Sequence, residues 1–228
     1  MGDRDSMTEQ ADKKRTKRRA SDDYPTPGPV VDAFLDRIDW LRVRSFLEPC
    51  AGDGAIIARA ADRITSLRRV VRGVELRRGG PGWIRADYLE LPQLGVSFER
   101  PHTIAGPHLQ AFDLAVTNPP FNLAGQFLEK LLRECVTVCL LLRASWPAGP
   151  RSALLRLIPP THVYYLESRP AFVATCQRKS CDASAPLGTR ECPECGDRMR
   201  DTTDMHEYAW FCWDRARLLN TRAPFNWI

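Results

Sequence analysis

The chain has 228 residues, of which 43% are apolar, and carries 33 basic against 28 acidic side chains for a net charge of +5. That balance is ordinary for a globular protein of one domain with room for a small appendage, and it does not by itself require a nucleic-acid partner. No run approaches the roughly eighteen apolar residues of a membrane-spanning helix, and the charged N-terminus is unlike a secretory signal, so no membrane is expected and the cytoplasm is the expected location.

Residues 1–22 are charged and lack apolar periodicity, which predicts a disordered tail. Within it "KKRTKRR", Lys13 to Arg19, reads either as a nucleic-acid arm or as a solvated segment. A folded domain is expected over 23–228. "YPTPGPVVDAFLDRI" is a turn leading into a helix, with Val30, Val31, Phe34, Leu35 and Ile38 on one face. "SFLEP" is a first strand, followed by a glycine-rich turn and the helix "AIIARAADRI". "RVVRGVEL" and "WIRADYL" are the second and third strands, and the stretch from there to about Ala111 is rich in loops. "FDLAVTN" is a fourth strand, "GQFLEKLLREC" a helix and "VTVCLLLRA" a fifth strand. A short helix "RSALLRLI" precedes the strand "THVYYLE", and "EYAWFCWD" closes the series as a seventh. Strands alternating with helices imply βαβ units and an α/β, doubly wound, mostly parallel sheet.

Charge is uneven along the chain. Arg59, Arg63, Arg68, Arg69, Arg72, Arg77, Arg78 and Arg85 face only Asp62 and Glu75 in their stretch. Clustered arginine neutralises phosphates, although arginine outnumbers lysine throughout, which a genome's composition alone can produce.

The first strand ends in "LEPCAGDGA", Leu47 to Ala55. Gly52 and Gly54 permit backbone angles closed to other residues and let a ligand approach the main chain. The helix N-terminus behind them favours negative charge, such as a carboxylate. Glu75, at the end of the second strand, is placed to take a ribose, and Asp87, after the third, to accept from an adenine amino group. The spacing is not the dinucleotide fingerprint G-x-G-x-x-G. Glu48, Pro49, Gly52 and Gly54 instead resemble the (D/E)-P-x-x-G-x-G loop of S-adenosylmethionine-dependent methyltransferases. That resemblance implies a Rossmann-like sheet with an antiparallel last strand and S-adenosylmethionine (SAM) as cofactor.

The fourth strand stops on Asn118, Pro119, Pro120 and Phe121. Asn-Pro is a common way to start a loop. In an open α/β sheet, however, ligands bind outside the carboxyl ends of the strands, and the tip of the fourth strand adjoins that of the first. "NPPF" resembles the (D/N/S)-P-P-(Y/F/W) motif of amino-methyltransferases acting on adenine N6, cytosine N4 and amide or guanine nitrogens. "YPTP", Tyr24 to Pro27, is similar to an N-terminal motif of DNA adenine methyltransferases, which implies that Tyr24, Thr26 and Pro27 help hold the methionine part of SAM. "SRPAF" with "TTDMHEYAWFCW" resembles the ending of small phage-type enzymes of that group, where Asp204 matches an acid before the final strand. The resemblance implies a catalytic role for Asn118, Pro119, Pro120 and Phe121, DNA as partner and adenine N6 as acceptor. Cytosine N4, an RNA base and a protein glutamine amide stand as alternative acceptors, and a non-catalytic binding module as the reading furthest from these. No large separate target-recognition domain is visible.

Between "SRPAF" and the last strand, Cys176, Cys181, Cys192 and Cys195 stand as C-x4-C, ten residues, then C-x2-C and a glycine. In a chain without an export signal this spacing predicts a structural Zn2+ on four thiolates, in an insert over 174–202. So polar a segment would not fold unaided, whereas structural zinc contributes about 10–16 kcal/mol in comparable peptides. Arg178, Lys179, Arg190, Arg198 and Arg200 make the insert a candidate basic grip on DNA, or it merely staples a long hairpin. Cys50, Cys135, Cys139 and Cys212 read as small apolar residues.

Overall fold

The computed structural model describes residues 25–67, 69–77, 80–97, 110–149, 152–181, 183–221 and 223–228. The expected tail, Tyr24, and most of the loop-rich stretch before Ala111 lie outside them.

Pro27 precedes helix α1 (Gly28–Leu35), and Pro29 sits in its first turn, where a missing N–H costs nothing. Strand β1 (Ser45–Glu48) feeds helix α2 (Ala55–Arg63), followed by β2 (Val70–Glu75), β3 (Ile84–Arg85) and β4 (Phe112–Thr117). Helix α3 (Ala124–Glu134) leads into β5 (Cys135–Arg143), and a short α4 (Ser152–Leu157) into β6 (His162–Tyr165). Strands β7 (Ala171–Cys176), β8 (Ser184–Ala185) and β9 (Met199–Thr203) form a three-stranded sheet of their own. The chain then rejoins the main sheet as β10 (Tyr208–Asp214) and ends on β11 (Phe225–Trp227).

The main sheet has the order β11-β6-β10-β5-β4-β1-β2-β3. Strand β10 is antiparallel to both its neighbours, and the other pairings are parallel. Seven of these strands are the ones the sequence predicts. The eighth, β11, has three residues, too few for a periodic signal, and adds an edge beside β6.

Alternate residues feed a separate core on each face. Val138, Leu140 and Leu142 of β5 point to the face covered by Phe127, Leu128 and Leu131 of α3. Cys139 and Leu141 point to the other, covered by Phe34 and Leu35 of α1 and Ile56 and Ala60 of α2. In α3 the buried set Ala124, Phe127, Leu128 and Leu131 follows helical spacing. Every residue of β10 is buried, as a strand covered on both faces must be. Its Trp210 lies stacked on Phe34, 4.5 Å between centroids.

Asp113 aligns β1 with β4. Its Oδ2 accepts from the Arg44 and Ser45 amides at 2.8 and 3.0 Å, and its own amide donates to Ser45 Oγ at 2.8 Å. This clamp at the start of β1 and β4 fixes their register, Phe46 opposite Leu114 and Leu47 opposite Ala115. The tips of both strands therefore emerge side by side.

Candidate functional site

A cavity of about 340 Å3 opens at those tips, within the size range of small-molecule sites, about 300–1,000 Å3. The loop after β1 forms one wall. Gly52 (φ 54) and Gly54 (φ 90) both take left-handed backbone angles, which cost an L side chain about 1–2 kcal/mol. A Cβ on Gly54 would also lie 3.0 Å from the Trp83 ring. Asp53 accepts from the Ala55 amide at 3.0 Å and starts α2.

Four carboxylates line this cavity, Glu48, Asp53, Glu75 and Asp87, and Asp53 is already engaged with the Ala55 amide. Glu75 is held by two amides, Gly52 N–H to Oε2 at 2.9 Å and Arg77 N–H to Oε1 at 3.0 Å. Each carboxylate oxygen retains a second lone pair for a hydroxyl. Asp87 caps the turn Tyr88–Glu90 by accepting from Leu89 N–H at 3.0 Å. Glu48 differs from both. It is 1% exposed, and its buried Oε2 has no hydrogen-bond partner among the described residues. Burial pushes its pKa well above the usual carboxylate range, the charges of Asp53 and Glu75 add to the rise, and the Ile57 amide offsets part of it. A buried acid aimed into a cavity in this way matches a ligand carrying positive charge.

The loop after β4 adds another part of the lining. Asn118 and Pro120 line the cavity, whereas Pro119 and Phe121 stand beside it. Asn118 Nδ2 donates to Thr26 Oγ1 at 3.2 Å. Thr26, 7% exposed, also lines the cavity, while Pro27 serves as N-cap of α1. The residue assigned from sequence to the cofactor thus also orients the amide assigned to the acceptor. With Nδ2 turned to Thr26, Oδ1 faces the other way. Phe121 is half-buried, with the Arg143 guanidinium over its ring at 5.1 Å and the Tyr208 ring at 5.7 Å. Pro49 lines the cavity as well, and Gly54 stands behind it.

No protein-family model matches the sequence, and no curated protein matches it. Solved structures do match in fold. A candidate RNA methyltransferase from Pyrococcus horikoshii aligns over 83% of this chain and 85% of its own, with a TM-score of 0.50 and 12% identity. A type I restriction-modification system methyltransferase subunit from Streptococcus thermophilus aligns over 86% of this chain, with a TM-score of 0.53 and 14% identity. The chain spans 45% of that subunit's length. This is the Rossmann-like fold of methyltransferases.

Within that fold, the cavity also takes Leu76, Arg77, Ala86, Tyr88 and Phe127, which sequence reasoning missed. The first four adjoin Glu75 or Asp87, and that adjacency was a usable signal. Phe127 lies two turns of chain beyond the "NPPF" tip and reaches the cavity by stacking on Tyr88, 5.3 Å away; nothing local announces it. Cys50 lines the cavity too, and burial pushes its thiol pKa well up, with Glu48 and Glu75 adding to the rise. It stays neutral and unsuited to nucleophilic attack.

Part of the arginine-rich stretch is engaged within the molecule, while Arg77 and Arg85 are exposed. Arg59 pairs with Asp32, and Arg63 with Asp32 and Asp36, binding α2 to α1. Arg69 donates to the Ala61 and Ile64 carbonyls at the end of α2. Arg68 and Arg78 lie outside the described residues.

A second cluster lies in the small sheet. The sulfurs of Cys176, Cys181, Cys192 and Cys195 all lie within 4.8 Å of one another. Cys176 and Cys195 approach to 3.5 Å, Cys181 and Cys192 to 3.8 Å, and all four are free thiols. A tetrahedral zinc with Zn–S bonds of about 2.3 Å requires S–S edges of about 3.8 Å, so this donor set is compatible with zinc. Gly196 closes the knuckle at φ 71, its amide donating to the Cys192 carbonyl at 2.9 Å. Among the described residues of 174–202, the core is Ala174, Ala183, Cys192 and Met199, too small to hold a sheet unaided. The insert is not basic overall. Asp182, Glu191, Glu194, Asp197 and Asp201 balance its five cations, and Arg178 pairs with Asp197 at 3.1 Å. No helix among the described residues is long and apolar enough to cross a membrane.

Proposed function

We propose that this protein transfers a methyl group from SAM to an exocyclic amino group of a nucleic-acid base, with adenine N6 of DNA as the acceptor. Residues 23–228 would form the methyltransferase unit, with 174–202 as a zinc-bearing insert. The observation that carries the reading is that Glu48, buried with an Oε2 that has no hydrogen-bond partner among the described residues, and the amide of Asn118 line the same cavity.

Glu48, Pro49, Gly52 and Gly54, with Thr26 and Pro27, would hold the methionine end, Glu75 the ribose and Asp87 the adenine. When bound, SAM supplies an electrophilic methyl group on a sulfonium. An exocyclic amino nitrogen is a poor nucleophile, because its lone pair is delocalised into the ring. In this reading Asn118 Oδ1 and the Pro119 carbonyl accept its two N–H bonds and draw the nitrogen toward tetrahedral geometry. The lone pair is then free to form the N–C bond as the S–C bond breaks, and the surplus proton leaves to water. The prolines fix the carbonyl direction in advance, which is preorganisation rather than acid–base work. Phe121 offers the ring face away from Arg143 to an unstacked base, a contact worth roughly 1–3 kcal/mol, against a few kcal/mol to extrude the base. Cys176, Cys181, Cys192 and Cys195 would hold one structural Zn2+.

The test is transfer of labelled methyl from SAM to unmethylated DNA, with nucleosides resolved by mass spectrometry. N6-methyladenine supports the proposal in full. N4-methylcytosine keeps the mechanism and corrects the base. Unlabelled DNA with SAM still bound moves the acceptor to RNA or a glutamine amide, and failure to bind SAM refutes the enzyme. Metal analysis should find about one zinc per chain and none after Cys192→Ser with Cys195→Ser.

A further inference from the structure

We propose that Tyr208 is a positioning residue through which the four-thiol insert sets the conformation of the acceptor loop. The inference rests on the methyl-transfer reading for the role of Phe121.

The contacts run without a break. Strand β7 starts five residues before Cys176 and carries Phe172, 3% exposed, whose ring meets Tyr208 edge-on at 5.0 Å. Strand β9 returns from Cys192 and Cys195 and delivers Asp204 immediately after Thr203. Asp204 Oδ2 accepts from the Tyr208 hydroxyl at 2.8 Å, and its Oδ1 accepts from the His206 amide at 2.9 Å. The Asp204 amide donates to the Pro170 carbonyl at 3.0 Å, so the segments leading into β7 and out of β9 are joined where Asp204 meets Tyr208. Tyr208, 1% exposed, touches Phe121 and stands opposite Arg143 in the sheet. Arg143 in turn lies over Phe121. The acceptor aromatic is therefore gripped by two side chains, one of which is held by ring and hydroxyl together from the two strands that lead into and out of the insert. Burial raises the pKa of that hydroxyl, which keeps it a donor.

Charge offers no rival account of the insert, because its five cations are matched by five acids. Its route of influence is contact. Among the described residues, the loop from Glu48 to Gly54 takes no part in the contacts that join Phe172, Asp204, Tyr208 and Phe121, so SAM affinity serves as the control.

Hydrogen exchange on the full chain tests this without any need for turnover. The reporter is the Leu123 amide, bonded to the Pro120 carbonyl at 2.9 Å in the acceptor loop. Asp204→Ala, with zinc retained, should raise Leu123 exchange roughly tenfold, the effect of losing one hydrogen bond to a carboxylate. Asp204→Asn keeps an acceptor and should restore protection, which a merely structural loss would not do. SAM affinity, read by calorimetry, should stay within about twofold throughout. Stripping zinc from the wild type should loosen Leu123 to a similar degree, and stripping it from Asp204→Ala should add little. Unchanged Leu123 exchange in Asp204→Ala overturns the inference. So does a full second increment on zinc removal, since independent effects multiply. Neither result depends on which acceptor is methylated, so failure here and failure of the methyl-transfer reading are separate outcomes.

Discussion

Replacing Glu48 by Gln removes a titratable carboxyl at nearly constant volume from the most deeply buried acid of the cavity. In the ligand-free protein, burial raises the pKa of this group, so folding favours the protonated form. Its contribution to stability is present at acid pH, below the ordinary glutamate value, and is lost as pH climbs through the raised folded value. A cationic ligand reverses that preference, because only ionised Glu48 pairs with it. On the acid side of the folded pKa, SAM binding should then release a proton and tighten by up to about tenfold per pH unit, levelling off above it. The contact itself, a hydrogen bond to a charged group, is worth about 1.5–3 kcal/mol, roughly ten- to a hundredfold in Kd. Calorimetry across a pH series, in two buffers of different ionisation enthalpy, reads the affinity and the released proton together. Glu48→Gln should bind more weakly, with no pH slope and no buffer-dependent heat. A slope that survives in Glu48→Gln, or its absence from the wild type, would refute the assignment of Glu48 to the cationic end of the ligand.

Asn118→Ala should leave SAM affinity nearly intact and lower turnover about 10²–10³-fold, the usual effect of removing one preorganised hydrogen-bonding group; equal loss of both would make the amide structural. Thr26→Val removes the partner of Asn118 Nδ2 at 3.2 Å. It should lower kcat by roughly fivefold, one neutral hydrogen bond, with Thr26→Ser restoring it in the same methyl-transfer assay. Gly54→Ala meets both a φ of 90 and the Trp83 ring at 3.0 Å. A loss of about 1–2 kcal/mol in chemical denaturation, together with weaker SAM binding, is the expected result.

The α/β alternation was legible because each strand is an apolar run or alternates with period two, and each helix repeats near 3.6. The two tips were legible because glycine and proline act through local backbone, which sequence records directly. Contacts between distant segments were not. Thr26 and Asn118 meet across 92 positions, and no local pattern joins them. The arginines of α2 looked available to phosphate because Asp32 and Asp36 lie 27 and more positions away. Arg143 and Tyr208 sit at facing strand ends, so their joint hold on Phe121 appears only once β5 and β10 are paired antiparallel. The balance of charge in the insert, by contrast, was countable from the sequence, five acids against five cations over 174–202.

The position of β10 between β5 and β6 has a consequence for how such a chain diversifies. The polypeptide leaves the sheet after β6 and returns through β10 at the same edge that carries the tips of β1 and β4. The neck of that excursion is zipped shut, Leu166 N–H to the Tyr208 carbonyl at 3.0 Å and Ala144 N–H to the Glu207 carbonyl at 2.8 Å. Whatever is spliced above the neck is delivered to the working edge, and the strand order beneath it need not change. The excursion is thus a docking port on a fixed chassis: exchanging the four-cysteine module for another would change what stands at that edge while leaving the strand order beneath it as it is.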